Sequence, residues 1–367
     1  MRCHMSLLKH VSTAALAAAL LVTASPRDAS AADFSGERIE IIIAASEGGG
    51  TDVWMRFWQP FMQKYLPGNP TVLIRNMPGG GQTIGGNWFQ DNMETDGTNA
   101  FATTGSTQFP YLLGDPRVRY EYNDWSAVMA SPVGGVTYVS PDLDVKTAEE
   151  LEKLQGQELL YGSQGPTTLD LLPIFSYELL GLDIKPIFGM RGRGDGRLAF
   201  ERGELKLDYQ TTPAYLQNVA PLVEAGTAVP LFSWGMLDDD GNLIRDPTFP
   251  DLPHFGEVYE AIQGKPLGGI EGDVYMAFFT AGFAAQKLLN MSSETPQEVL
   301  DAWAEALRKA SEDPEFQEKK EAQLGAYQQY FGEGAERMKK RATTLTPEAR
   351  EYVLSWLKER FDVTLDK

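Results

Sequence analysis

The sequence predicts an α/β protein of two domains, with its ligand site along the edge where the strands end. Two observations carry this. Three successive extended runs, 39–45, 71–75 and 100–104, each finish in small, donor-rich residues and each lead into a helical pattern. The chain is also long: 367 residues, 43% hydrophobic and 23% charged, exclude disorder and exceed what a single core usually covers. In an open parallel sheet the loops beyond the strands' carboxyl ends share one edge, and ligands bind there.

Residues 1–31 read as a secretory signal peptide outside the fold. Arg2 and Lys9 give a cationic start, Val11 to Val22 is apolar but too short to span a bilayer, and Ala29-Ser30-Ala31 supplies a cleavage site near Ala31. Cys3 lies before the apolar run, so the mature chain has no cysteine and must draw its stability from core burial. The chain is therefore expected to be exported.

The first strand, Ile39 to Ala45, runs into Gly48-Gly49-Gly50 and then Thr51-Asp52, either of which can cap the helix that follows through Trp54, Phe57, Trp58 and Phe61. Strand, glycine turn and helix N-terminus form a concave array of N–H donors that favours an anion. Trp54 and Trp58 read as core, with one of them able to face a ligand. Pro60 is expected to kink the helix or end its first segment. The second strand ends in Asn76-Met77-Pro78-Gly79-Gly80-Gly81, with a helix from about Thr83, and the third ends in Gly105-Ser106-Thr107.

The pairing of GGGTD with NMPGGG some two dozen residues later resembles the solute-binding receptors of tripartite tricarboxylate transporters, the Bug-type periplasmic receptors. Their first strand runs into Gly-Gly-x-x-Asp and their second into Asn-x-Pro-Gly-x-Gly. The resemblance implies a periplasmic binding-protein fold, type II-like: two α/β domains joined by crossing strands with a ligand cleft between them. Domain 1 is expected over 32–139 plus 270–367 and domain 2 over 140–269, with Val136 to Val139 leaving the first domain.

Later segments match in part. Ser163-Gln164-Gly165-Pro166-Thr167-Thr168 fits the family's Ser-x-Gly-x-Gly-Thr loop at Ser163, Gly165 and Thr168, while Thr167 replaces a glycine. It precedes a helix over 169–180 and so offers a second set of N-terminal donors. Gly189 to Gly196 reads as a loop longer and more basic than the family's Tyr-Lys-Gly, bringing Arg191 and Arg193 toward the cleft, where an arginine could grip a distal carboxylate with two parallel bonds. Val274 to Thr280 is expected to be the return crossing strand. Ala281 to Ser293 stands where the family has Pro-x-Gly-Thr-Pro and has no counterpart to explain it. The tail reads as capped helices opening at Thr295-Pro296, Asp313-Pro314 and Thr346-Pro347.

Composition removes several kinds of chemistry. The formal charge of −19 becomes −21 once Arg2, Lys9, Arg27 and Asp28 leave with residues 1–31, which argues against nucleic acid and anionic membranes as partners. His254 is the one histidine of the mature chain and reads as a turn opening a helix. With no cysteine and one histidine, a zinc site of the usual ligands cannot be assembled, and no cofactor is expected. Tyr161 replaces the first glycine of a nucleophile elbow around Ser163. Asp238 to Asn242 lacks the spacing of a calcium loop.

The implied function is capture of a small organic anion, a carboxylate, for delivery to integral-membrane permease subunits by a monomeric receptor without enzymatic activity. The expected ligand-binding residues are Gly48, Gly49, Gly50, Thr51, Asp52, Asn76, Gly79, Gly80, Gly81, Ser106, Thr107, Ser163, Gly165, Thr167, Thr168, Arg191 and Arg193. The rival readings are a ligand sensor that docks on a signalling kinase and a periplasmic enzyme acting on a carboxylate.

Overall fold

The computed structural model describes residues 32–238 and 241–365, so the signal-peptide reading of 1–31 and part of the 238–242 turn lie outside the described residues. The chain begins with β1 (Arg38–Ile43), α1 (Gly50–Tyr65), β2 (Thr71–Asn76), α2 (Thr83–Asn92), β3 (Asn99–Ala102), α3 (Gly105–Leu113) and β4 (Trp125–Ser131). It continues with β5 (Gly135–Val139), β6 (Glu158–Ser163), α4 (Leu171–Leu179), β7 (Asp183–Phe188), α5 (Arg193–Glu201), β8 (Leu207–Thr211) and β9 (Val229–Ser233). A small hairpin of β10 (Met236–Leu237) and β11 (Leu243–Ile244) follows, then β12 (Lys287–Ser292) and β13 (Tyr330–Phe331).

Two lobes result. The first is built on a six-stranded sheet of order β13-β4-β12-β3-β1-β2, in which β1 pairs parallel with both β2 and β3 while β12 runs antiparallel between β3 and β4. The second holds β5 antiparallel between β8 and β9, and the parallel pair β6 and β7. The change of lobe thus falls between Ser131 and Gly135, ahead of β5. The helix Pro347–Phe361 packs on the second lobe, with Trp356 and Arg360 on Glu178 and Arg360 also on the Ile184 carbonyl. Strand pairing therefore groups β5 with the second lobe, where the sequence reading put it in the first, while the last helix bonds to both lobes, Arg350 donating to the Leu113 carbonyl at the end of α3.

Val274 to Thr280 is not a strand. It belongs to the helix Gly269–Phe279 and a π-helical turn over Thr280–Ala284, and the chain re-enters the first sheet as β12. An apolar run of that length has no periodicity to separate a buried helix from a buried strand. Helix α1 runs through Pro60 to Tyr65 without ending there, anchored by Trp54, Trp58, Phe61 and Met62 in the core. Both tryptophans are core residues, and Trp54 Nε1 donates to Ser131 Oγ at 3.0 Å. His254 caps the helix Phe255–Gln263 in a reciprocal pair with Glu257. Asp313 and Thr346 cap their helices as expected, whereas Thr295 caps nothing, since Pro296 itself occupies the N-cap.

The crossing between lobes is tightly packed. A Cβ at Gly134 would overlap Asp246 Oδ2 and Tyr327 OH, so this position must be glycine for steric reasons. Asp246 is fully buried and accepts from Tyr327 OH at 2.6 Å and from the Thr248 N–H at 2.8 Å; Tyr327 shares a further bond with Thr212. Burial pushes the Asp246 carboxyl up to about 6, only partly opposed by these bonds. The folded chain therefore holds this proton more tightly than the unfolded chain, and the stability so gained is lost as pH rises from about 4 through 6. Asp246→Asn is expected to abolish that fall and to leave the protein more stable at pH 7.5 by on the order of 2–3 kcal/mol. Urea unfolding at pH 5 and 7.5 checks both; an unchanged slope would place the titration elsewhere.

Candidate functional site

The turn after β1 is fastened from behind. Asp52 is buried, and its carboxylate accepts from the Gly48 N–H at 2.9 Å, from Arg56 Nε at 2.8 Å and from Asn76 Nδ2 at 3.0 Å. Asn76 Nδ2 also donates to the Ala45 carbonyl. These two side chains hold the turn in shape, with their polar atoms spent on protein. Gly49, not Thr51 or Asp52, occupies the N-cap of α1, and no side chain caps the first turn. The positive end of the helix dipole at Gly50 and Thr51 is thus left facing the cavity.

After β2 the backbone stays left-handed for four residues: Gly79, Gly80 and Gly81 at φ 118°, 59° and 67°, then Gln82 at 73°. Glycine is required at the first three. Gln82 is held there by Thr104 Oγ1, which donates to its Oε1 at 2.5 Å, and by its own Nε2, which donates to Gln164 Oε1 at 2.7 Å. The glycine turn therefore delivers a glutamine amide to the site. Gly80 is exposed, and a Cβ on it would meet Thr83 and Ile84; a Cβ on Gly81 would meet Thr168 of the other lobe.

Beyond β3, Thr104 caps α3 by accepting from the Ser106 N–H, and Thr107 completes the capping box on the Thr104 backbone, with its hydroxyl beside Tyr122 OH. Thr107 is buried structure. Ser106 instead faces the second lobe, its Oγ accepting from Gln164 Nε2 and the Leu169 N–H, each at 3.1 Å.

In the second lobe the loop after β6 is internally bonded. Ser163 Oγ accepts from the Gly165 N–H, Thr168 Oγ1 donates to the Gly165 carbonyl, and the Gln164 N–H donates to Asp170 at 2.7 Å. Thr167 lies at the rim, donating to Asp115 Oδ2 and accepting from Arg117 Nη2, both at 2.8 Å, so it latches the loop to the first lobe. The second half of the segment read as a basic loop, from Arg193, is the start of α5. Arg191 stays outside, 71% exposed and doubly bonded to Asp195. Arg193 is buried at the first turn of α5 between the Tyr161 and Tyr209 rings, ion-paired with Asp170 and Asp208 and donating to the Gly162 and Tyr209 carbonyls. Its charge is matched within the lobe.

These pieces enclose a cavity of about 20 Å³, room for roughly one water. Of the expected residues Gly49, Gly50, Thr51, Ser106 and Arg193 line it; Gln82, Thr104, Gln164, Thr211, Gln286 and Lys287 complete the polar wall and were not expected. Gln164 sits inside the motif that was singled out, at its variable position. Lys287 carried one signal, a lone cation opening an otherwise buried strand. Among the described residues no aspartate or glutamate lines the cavity, in a chain with 51 of them. A larger concavity of about 700 Å³, with Arg337, Lys340 and Arg341 on its wall, shares none of these lining residues. Among the described residues no group of three or more histidine, cysteine, aspartate or glutamate side chains is placed to hold a metal ion, and no helix is long and apolar enough to cross a membrane.

The two α/β lobes meet across a cleft lined by the strand-end loops of both. No family model matches the chain. It is similar to the UPF0065 protein in gbd 5'region of Cupriavidus necator, 28% identical over 262 residues that cover 70% of this chain and 75% of that one. In fold it is similar to the periplasmic binding protein BugD, at 19% identity and TM-score 0.65 over 88% of this chain and 97% of that one. It is similar also to MatC from Rhodopseudomonas palustris with bound malate, at 16% identity and TM-score 0.63 over 86% and 99%. A second R. palustris protein, solved with adipate, gives 16% and 0.63 over 88% and 96%. The resemblance to Bug-type receptors read from the glycine motifs thus holds, and the α/β binding-protein fold with it.

Proposed function

We propose that this chain is a periplasmic solute-binding receptor that captures a small carboxylate and hands it to a tripartite tricarboxylate-type membrane permease, acting as a monomer and without chemical turnover. The observation that carries this reading is the cavity wall: hydroxyls, amides, an uncapped helix N-terminus and one cation paired with no carboxylate, Lys287, with no carboxylate among the lining residues. In so acidic a chain, such a wall is selected against cations and for an anion. The malate and adipate held by two proteins of similar fold make dicarboxylates the first candidates. Dicarboxylates exceed the present cavity, so capture requires the lobes to part and re-close, with Gln82, Ser106 and Gln164 exchanging their bonds to one another for bonds to solute.

Titration calorimetry with malate, adipate and matched monocarboxylates, in the presence of chelator, tests the proposal. Binding that survives chelation with no product after prolonged incubation is expected. Failure of every carboxylate, or conversion of one, would overturn it.

A further inference from the structure

Lys287 opens β12 and is 1% exposed, inside the first lobe's sheet and against the cavity. Its Nζ donates to Thr51 Oγ1 at 3.0 Å and to Gln286 Oε1 at 2.6 Å, which leaves one of three ammonium donors without a protein acceptor. Among the described residues it has no carboxylate partner. The charged groups around it are committed elsewhere. Asp52, next to Thr51 on α1, is turned to Gly48, Arg56 and Asn76. Arg193, across the cavity on α5, is matched by Asp170 and Asp208. Ser131, opposite Lys287 on β4, is uncharged and accepts from Trp54. The uncapped first turn of α1 adds positive potential at the same place.

We propose that Lys287 is the counter-ion of the bound solute: a carboxylate seats between its ammonium group, Thr51 and the first-turn N–H groups of α1. This rests on the cavity being the solute site. A buried ammonium group with neutral partners is costly, and the solute's charge removes that cost only when it is bound. Burial alone pushes Lys287 down to about 7. Near and above that pH part of the population is neutral, and a carboxylate that restores the ammonium form makes binding take up a proton.

The test uses malate and adipate on the full mature chain. Wild type is expected to absorb up to one proton on binding at pH 8, read by calorimetry in two buffers of different ionisation enthalpy. Lys287→Met should bind about tenfold to a hundredfold more weakly, the range for one charge-assisted hydrogen bond, and lose the proton uptake. Lys287→Gln, which keeps a donor, should recover part of the affinity and none of the uptake. A ligand-free arm stands apart: because the folded value lies below the ordinary lysine value of 10.5, wild-type stability should rise between pH 7 and 10.5, and Lys287→Met should abolish that rise. Carboxylate binding with unchanged affinity and proton uptake in Lys287→Met sinks this inference and leaves the receptor function standing. No carboxylate binding by wild type, with the stability rise still tied to Lys287, sinks the receptor reading and the counter-ion role together.

Discussion

A Gly50→Val variant is expected to fold and melt as wild type does, yet bind solute about tenfold to a hundredfold more weakly. Gly50 is the first residue of α1 in the first lobe, and its backbone does not lie in the left-handed region, so a side chain there strains nothing locally. A Cβ at this position would overlap Thr211 Oγ1 and stand 3.3 Å from Thr211 Cβ, at the end of β8 in the second lobe. The two meet only when the lobes are together. Valine therefore acts on closure, with the separated lobes untouched. Shaving the opposing residue in a Gly50→Val/Thr211→Ala double variant should restore part of the affinity, since the overlap is pairwise. Equal losses of melting temperature and affinity in the single variant would mean that the contact supports the fold and has no part in gating.

Replacing Arg193 should do the reverse. Arg193→Met is expected to lower unfolding stability by about 3–5 kcal/mol, the range for removing one partner of a buried ion pair. Asp170 and Asp208 are both fully buried, and without the guanidinium they face each other's negative charge unneutralised. Arg193→Lys should recover little, because one ammonium cannot reproduce four contacts to two carboxylates and two carbonyls. Urea unfolding of the three proteins decides this. A normal midpoint with selective loss of dicarboxylate affinity would return Arg193 to the ligand clamp that the sequence suggested.

The strand-end loops were legible because each is a local pattern: an extended run, then glycine, serine or threonine, then a helix. Which atoms of those loops face inward was not. Asp52, Asn76 and Thr107 are polar residues at the right loops whose bonds go to the turns themselves, Asn76 to the turn after β1, and nothing in the sequence separates them from Thr51 and Ser106. The start of α5 was hidden by Gly192, Gly194 and Gly196, poor helix formers, of which Gly192 is required by packing because a Cβ there would overlap Ser46 Oγ. Lys287 was out of reach for another reason. Its meaning depends on β12 inserting between β3 and β4, a pairing of segments far apart in the chain.

The rim latch of Thr167 with Asp115 and Arg117 has a kinetic consequence. These bonds join the lobes through residues that do not line the cavity, so on the proposed reading a solute need not alter them. Any solute must wait for them to break before it can leave, so they set a ceiling on escape common to all solutes. Solutes that differ widely in equilibrium affinity should then differ in how often a capture succeeds more than in how long it lasts. On the proposed reading, such a chain sorts its cargo on entry and treats every passenger alike at the exit.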